Sequence, residues 1–256
     1  MEPKELFKFL ISEAEQPFSG WDFSYLGDRL IDYPLEWSYK SEILPLLRGL
    51  DSLLDMGTGG GEFLSSLIPL PKHTYATEGY EPNLYIAKKR LESLGVKVFQ
   101  HKSDEILPFK DKEFDLIISR HESYSSDEVY RILKPGGLFI TQQVGDKNNS
   151  KLRFILTGSE KLENHTEWNM ERAKKELERS NFQVVERYEN ITSTRIYDIG
   201  AIIFYLKAIP WELPTFSVKK FYIQLEDIHA RITKDNYLDL EENCHRFFIK
   251  AIKSKE

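Results

Sequence analysis

Cysteine is almost absent from this 256-residue chain, where Cys244 stands alone. That excludes an intrachain disulfide framework and fits a reducing, cytoplasmic setting. The adjacent Cys244-His245 pair has no second Cys/His cluster to join it, so no metal is expected. Long apolar runs are missing as well: the amino-terminal group Leu6 to Ile11 is short, lies between Glu5 and Glu13, and lacks the length and basic flank of a signal peptide or a spanning helix. Positive charge is in deficit, with 35 Lys and Arg against 41 Asp and Glu. Residues 1–145 hold 23 acidic and 16 basic side chains and residues 146–256 hold 18 and 19, so neither half is basic. A nucleic-acid partner is therefore disfavoured, and Lys88-Lys89-Arg90 reads as the solvated side of a helix. Repeats, low-complexity tracts and long linkers are absent too, which leaves one compact domain with additions.

What the chain does contain is the run Ser52 to Leu64, a strand ending in Asp55, a turn with glycines at 57, 59 and 61, and a helix start. Glycine permits positive φ and a close approach of backbone to ligand, and such a turn is expected to aim free N–H groups and a positive helix end at an anionic group. A nucleoside-triphosphate loop requires Lys-Ser/Thr after its last glycine, where this chain has Glu62-Phe63. A dinucleotide fingerprint requires a third glycine where Glu62 stands, beside the place of a pyrophosphate. The third reading is the D-x-G-x-G-x-G signature of class I S-adenosylmethionine-dependent methyltransferases, which Asp55, Gly57, Gly59 and Gly61 match position by position, with Thr58 between them. A plain glycine-rich strand-to-helix turn is the alternative for the isolated loop.

The downstream chain extends the resemblance. Glu78 ends the next apolar stretch, about 20 residues past the loop, at the spacing of a ribose-binding carboxylate, with Gly79 after it. Pro82-Asn83 opens a helix with Leu84, Ala87, Leu91 and Leu94 at helical spacing and Gly95 as its stop. A strand from Val96 to His101 leads to Ser103-Asp104-Glu105-Ile106, similar to the family's adenine-binding segment. By that resemblance Asp104 takes the exocyclic amino group, the Glu105 N–H faces a ring nitrogen, and Ile106 lies against the base. Phe114 to Ser119 reads as a buried strand, and Glu128 to Gln142 resembles the family's "R-x-L-K-P-G-G" helix, turn and fifth strand. Five motifs thus run in order from about Ser52 to Gly145. The edge after the fourth strand, Ser119-Arg120-His121-Glu122, is where family members place groups near the transferred methyl. Ser119 and Arg120 are cofactor-site candidates, and His121 is the candidate catalytic base because its ordinary pKa lies near 6.5. A structural hydrogen-bond cluster is the competing role for these side chains. Gln142 and Gln143 could orient an acceptor, with alternation allowing only one of them to face the site.

The resemblance implies a doubly wound α/β fold, with a seven-stranded, mostly parallel sheet whose last strand is antiparallel. Later helix and strand patterns cover Glu167–Ser180, Phe182–Glu189 and Arg246–Ile252. The expected division is an amino-terminal helical and aromatic segment at 1–50, a cofactor-binding core at 51–190, an insertion at 191–245 and the last strand at 246–256. Trp21, Tyr33, Trp37 and Tyr39 are candidates for closing over the site, and Trp37 is placed among the cofactor contacts. Tyr197, Phe204, Tyr205, Trp211 and Phe216 make the insertion a candidate substrate cap, with a dimer interface as its other use. The activity implied is methyl transfer from S-adenosylmethionine to oxygen or nitrogen of a small molecule, by a monomer or homodimer that needs no membrane. RNA or protein methylation, cofactor binding without catalysis, and dinucleotide oxidoreduction are the alternatives.

Overall fold

The computed structural model describes residues 2–19, 21–101, 106–161 and 167–255. Proline in its first turn starts α1 (Pro3–Ala14), which buries Leu6 and Leu10. A tight helical turn leads to the short strand β1 (Leu30–Asp32), and the Ser38 hydroxyl caps α2 (Tyr39–Ile43) by accepting from the Ser41 N–H. Alternating strands and helices follow: β2 (Ser52–Met56), α3 (Glu62–Ser65), β3 (His73–Glu78), α4 (Glu81–Leu91), β4 (Lys97–Gln100), β5 (Phe114–Arg120), α5 (Ser126–Ile132) and β6 (Leu133–Val144). Then come α6 (Ser150–Thr157), α7 (Met170–Arg179), β7 (Phe182–Ile196), α8 (Ile199–Ala208), α9 (Tyr222–Asp235) and β8 (Leu238–Lys253). Ser125, Asn169 and Asp198 cap α5, α7 and α8 by accepting from backbone N–H groups of the first turn.

The strands form one sheet in the order β1-β7-β8-β6-β5-β2-β3-β4. From β6 to β4 every neighbour is parallel, while β8 runs antiparallel to both β6 and β7. The last strand is therefore antiparallel as expected, but among the described residues the sheet has eight strands where seven were expected. The extra one is β1, drawn from the amino-terminal segment, which pairs antiparallel with β7 from Leu30↔Ile196 to Asp32↔Thr194. It is added because β7 and β8 are much longer than their apolar patterns. β6 stops at Val144↔Arg246, yet β7 and β8 continue together from Asn190↔Arg246 to Ile196↔Leu238. The overhanging β7 edge needs a partner for its N–H and C=O groups, and β1 supplies it.

Alternation along the central strands feeds two cores. Leu53, Leu116, Ile118, Ile140 and Phe248 face α2 and α4, whereas Leu54, Ile117, Phe139, Phe247 and Ile249 face α5 and α7. A third cluster lies under the overhang, where Leu6 and Leu10 of α1, Leu152 and Leu156 of α6, and the apolar faces of α8 and α9 pack with Ile196 and Leu240. The amino-terminal helix and the insertion thus share one core. Ile202 is fully buried there. Its replacement by alanine is expected to cost about 2–5 kcal/mol and to move one chemical-denaturation transition, with circular dichroism and tryptophan fluorescence still coinciding. Separate transitions would show that this third core melts independently.

Candidate functional site

The turn after β2 brings its backbone to the carboxyl end of β3. Gly57, Gly59 and Gly61 all have positive φ, at 63°, 61° and 81°. The N–H groups of the loop are largely consumed internally: Thr58 donates to the Thr77 carbonyl at 2.9 Å, Gly61 to the Thr58 carbonyl at 3.0 Å, Gly57 to the Thr77 hydroxyl at 3.4 Å, and Gly59 to Glu78 Oε2 at 2.7 Å. The expectation of free N–H groups aimed at an anion is thereby corrected. A pyrophosphate would find few donors, and α3 is a single turn of four residues.

Glu78 is only 5% exposed, and its second oxygen accepts from the Tyr80 N–H at 2.7 Å, across Gly79. Burial raises its pKa, and the backbone hydrogen bonds pull it back down. Each carboxylate oxygen accepts one of these two bonds. Asp55 ends β2, is buried, and accepts from the Thr58 hydroxyl at 2.7 Å. Desolvation pushes it up to about 7, against the hydrogen bond from Thr58 and the nearby Arg120 charge. The Arg120 guanidinium rests on the Phe63 ring of α3, 5.0 Å from its centroid. Glu122 lies directly over Gly57, where an added Cβ would come within 2.3 Å of its Cγ. Tyr39 is buried with its hydroxyl within hydrogen-bond distance of the Ser119 and Ile140 carbonyls, so it braces the strand ends instead of closing over the loop.

His121 turns the chain away from β5 with φ of 61°, unusual outside glycine. Its N–H donates to the Gln142 carbonyl, and the Ser119 hydroxyl and the Gln143 amide both donate to the Glu122 carbonyl, which fixes the bend. The ring's protonation follows from its neighbours. Trp37 Nε1 can only donate, and it does so to Gln142 Oε1 at 2.9 Å. The Gln142 amide nitrogen therefore faces His121 Nε2 at 3.2 Å, so that Nε2 accepts and the ring proton sits on Nδ1. Desolvation, with Arg246 and Arg120 adding to it, drives the imidazole pKa well below its usual value. The residue as a whole nevertheless keeps exposed surface. Of the two glutamines, Gln142 carries the contact to His121, while Gln143 braces Glu122 and Thr141.

Asp55, Gly57, Thr58, Gly59, Gly61, Glu78 and Gly79 thus meet Ser119, Arg120, His121 and Trp37 at one edge of the sheet, where Asp55 is in register with Ile118 and Met56 with Ser119. Asp104 and Glu105 lie outside the described residues. Ile106 is 75% exposed, and Leu107 after it donates its N–H to Glu128 of α5. Tyr33 is not part of the group, since its ring lies beneath Arg195 at the β1–β7 edge. Trp21 does reach the loop: its Cδ1 lies 3.5 Å from the place of a Gly59 Cβ, and its ring meets Trp211 edge-on at 5.7 Å. Phe204 packs inward against Phe18 and Tyr25, so among the insertion's aromatics Trp211 is the one that lines the cleft beyond β6. Sequence reasoning missed the polar lining of that cleft, Asp146, Asn148, Arg153 and Glu212. Asp146, Asn148 and Arg153 come from the stretch after β6 and Glu212 from the insertion, and they form no spacing motif.

A buried carboxylate, Glu78, thus stands beside a glycine turn that keeps few donors for a pyrophosphate. Asp55, Glu78 and Glu122 surround it with acidic groups, and Arg120 is held on Phe63, which suits a cationic sulfonium cofactor. The sequence of the methyltransferase-domain family matches residues 54–141, which contain this site. That match identifies this third of the chain as a methyltransferase domain, the class whose S-adenosylmethionine-dependent signature the glycine turn resembles. No curated protein matches it by sequence. Among solved structures, the fold is similar to a candidate methyltransferase from Bacillus halodurans C-125, at 18% identity and TM-score 0.60, over 85% of this chain and 100% of that one. A Haloferax volcanii methyltransferase solved with the activator Trm112 is similar at 17% identity and TM-score 0.54, over 100% and 99%. A Haemonchus contortus phosphoethanolamine N-methyltransferase, solved with phosphomonomethylethanolamine and S-adenosylhomocysteine, gives 17% and 0.50, over 85% and 53%.

The elevated Asp55 pKa has a sign. Because the folded state holds this proton up to about pH 7 while the unfolded chain releases it near 3.8, the carboxyl's contribution is complete below the lower value and lost as pH rises through the upper one. The change is on the order of 4 kcal/mol. Asp55→Asn, which keeps an acceptor for Thr58, is expected to flatten the fall in melting temperature between pH 5 and 8. Parallel melting curves for the two proteins would show that Asp55 ionises normally.

Proposed function

We propose that the chain methylates a small molecule at nitrogen or oxygen. The observation that carries this reading is Trp21, which spans from Gly59 of the cofactor loop to Trp211 of the insertion. With that contact made, the amino-terminal segment and the insertion wall off the carboxyl ends of the strands, and an enclosed cleft suits a small acceptor better than a polymer. The cofactor supplies an activated methyl, whose bond to sulfur breaks as the bond to the acceptor forms, leaving a neutral thioether. The chain's own residues must hold the two reactants in line and keep water out.

In this reading Glu78 holds the ribose, and Asp55, Gly57, Thr58, Gly59, Gly61 and Gly79 shape the surrounding loop. Asp104, Glu105 and Ile106 take the adenine. Ser119, Arg120 and Trp37 support the methionine end, Ser119 and Trp37 through the bend that presents His121. His121 meets the acceptor neutral, as a base must be, but Gln142 occupies its Nε2 lone pair and Nδ1–H is the atom free to point outward. The role that fits is a hydrogen-bond donor orienting the acceptor, with proton removal open to it only if Gln142 lets go. The insertion at 191–245 and the segment at 1–50 serve as the cap of the core at 51–190, with the last strand at 246–256. A cytoplasmic setting goes with this reading, Cys244 being buried and unpaired.

Glu78→Ala is expected to weaken S-adenosylmethionine binding about tenfold or more, through lost charge-assisted hydrogen bonds. Glu78→Gln, which keeps an oxygen acceptor, should lose less, and an unchanged affinity in calorimetry would place Glu78 outside the site. Release of S-adenosylhomocysteine should follow addition of small amines or alcohols and not of RNA or peptides; turnover on the polymers alone would overturn the small-molecule reading. With such an acceptor, His121→Ala should lower turnover roughly tenfold to a hundredfold with cofactor affinity nearly unchanged. His121→Asn, which retains an N–H donor, should restore part of the loss, whereas equal loss in both variants would favour a base.

A further inference from the structure

Arg246 of β8 stands two residues outward from Phe248. In the antiparallel pairing with β6, Gln142 lies opposite Phe248 and Val144 opposite Arg246. The arginine therefore leaves the sheet on the same face as Gln142, one step nearer the carboxyl end of β6. That is the face on which Gln142 meets His121 and Trp37. Tyr188 continues it, stacked between Trp37 and Phe248 at 5.9 and 5.5 Å.

The guanidinium is fixed at one corner and open along the opposite edge. Nη1 donates to Asn148 Oδ1 and, at 2.9 Å, to the His245 carbonyl, which uses both of its hydrogens. Nε and Nη2 donate to no described residue and are not buried, and the side chain keeps 14% of its surface open. The acidic neighbour, Asp32, comes only within 3.8 Å of Nη2, from a side chain that is 42% exposed and whose other oxygen accepts from the Thr194 hydroxyl at 2.7 Å. An ion pair without a hydrogen bond and partly in water contributes little, so the Nε–H and both Nη2–H groups remain available. The field at His121 has the same sign. Besides burial, the charges that hold its imidazole neutral are those of Arg246 and Arg120, both cationic. The glycine turn is lined instead by Asp55, Glu78 and Glu122. The acidic side suits a cationic cofactor, and the basic side calls for an anionic partner.

We propose that Arg246 anchors a carboxylate of the methyl acceptor, so that the acceptor is a small acid carrying a nitrogen or oxygen nucleophile. The Nε and Nη2 edge matches the two oxygens of a planar carboxylate with parallel hydrogen bonds. Because Asn148 and the His245 carbonyl already hold Nη1, this edge is oriented before the acceptor arrives, and little ordering of a long side chain is left to binding. The rest of the acceptor extends along the face that carries His121. This assignment rests on the small-molecule reading above and adds the charge of the substrate to it.

The test is calorimetric titration of the full chain saturated with S-adenosylhomocysteine. The probes are the free amino acids and the monohydroxybenzoic acids, each beside its methyl ester. At least one acid is expected to saturate a single site and to bind about tenfold or more tightly than its ester. Arg246→Gln should abolish that preference for acid over ester with S-adenosylhomocysteine affinity unchanged. Arg246→Lys, which keeps the charge but not the two-pronged edge, should retain part of it. The comparison of acid with ester needs no variant, so it decides the matter even if Arg246→Gln fails to fold. The proposal is overturned if no acid binds, if phosphate monoesters bind in place of the acids, or if Arg246→Gln keeps the preference. Esters binding as tightly as their acids would overturn it and leave the small-molecule reading standing, whereas turnover confined to RNA or peptides would overturn both.

Discussion

Much of this site depends on how one buried carboxylate is satisfied. Glu78 sits at the end of β3, almost without solvent, and a charge in that position must be surrounded by donors. Two backbone N–H groups provide them, one from Gly59 in the glycine turn and one from Tyr80 at the start of α4. The same pair of bonds therefore neutralises the cost of burial, ties the ends of β2 and β3 together, and sets the entry to the following helix. The Thr58 N–H adds one more bond to the Thr77 carbonyl, continuing the β2–β3 pairing into the turn. The turn is pinned by these bonds, so the loop owes its shape largely to one side chain.

A second constraint acts on the opposite half of the sheet. β7 and β8 outrun β6, and the overhang must be covered on its edge and on its faces. β1 covers the edge, and α1, α6, α8 and α9 cover the apolar surface. The covering elements come from both ends of the chain, so they meet, and Trp21 and Trp211 touch above the cofactor loop. This covering is in that sense a by-product of strand length: once the hairpin extends, whatever buries it is carried toward the carboxyl ends of the parallel strands.

The conformation of the glycine turn and its tie to the end of β3 were legible residue by residue. Asp55, the three glycines and Glu78 were identifiable because each is required locally, by a positive φ, a strand end or a fixed distance along the chain. His121 was legible as a position and not as a chemical state. Its tautomer depends on Gln142, and the orientation of that amide depends on Trp37, more than 80 residues earlier in the chain. Tyr33 and Tyr39 looked alike in the sequence, but one lies under Arg195 at the sheet edge and the other is buried against two strand carbonyls. Aromatic composition says that such side chains will be buried or stacked, not against what.

The sequence alone determined the parallel core from β2 to β6, the cofactor turn and the antiparallel last strand, because these follow from period-two apolar runs, glycine conformations and short-range spacing. Only the tertiary structure decided the eighth strand, the shared third core and the meeting of Trp21 with Trp211. The physical reason is range. A turn or a cap is settled by neighbours within a few residues, whereas a strand's length is settled by the partner it finds, and a buried charge's state by groups brought from distant parts of the chain.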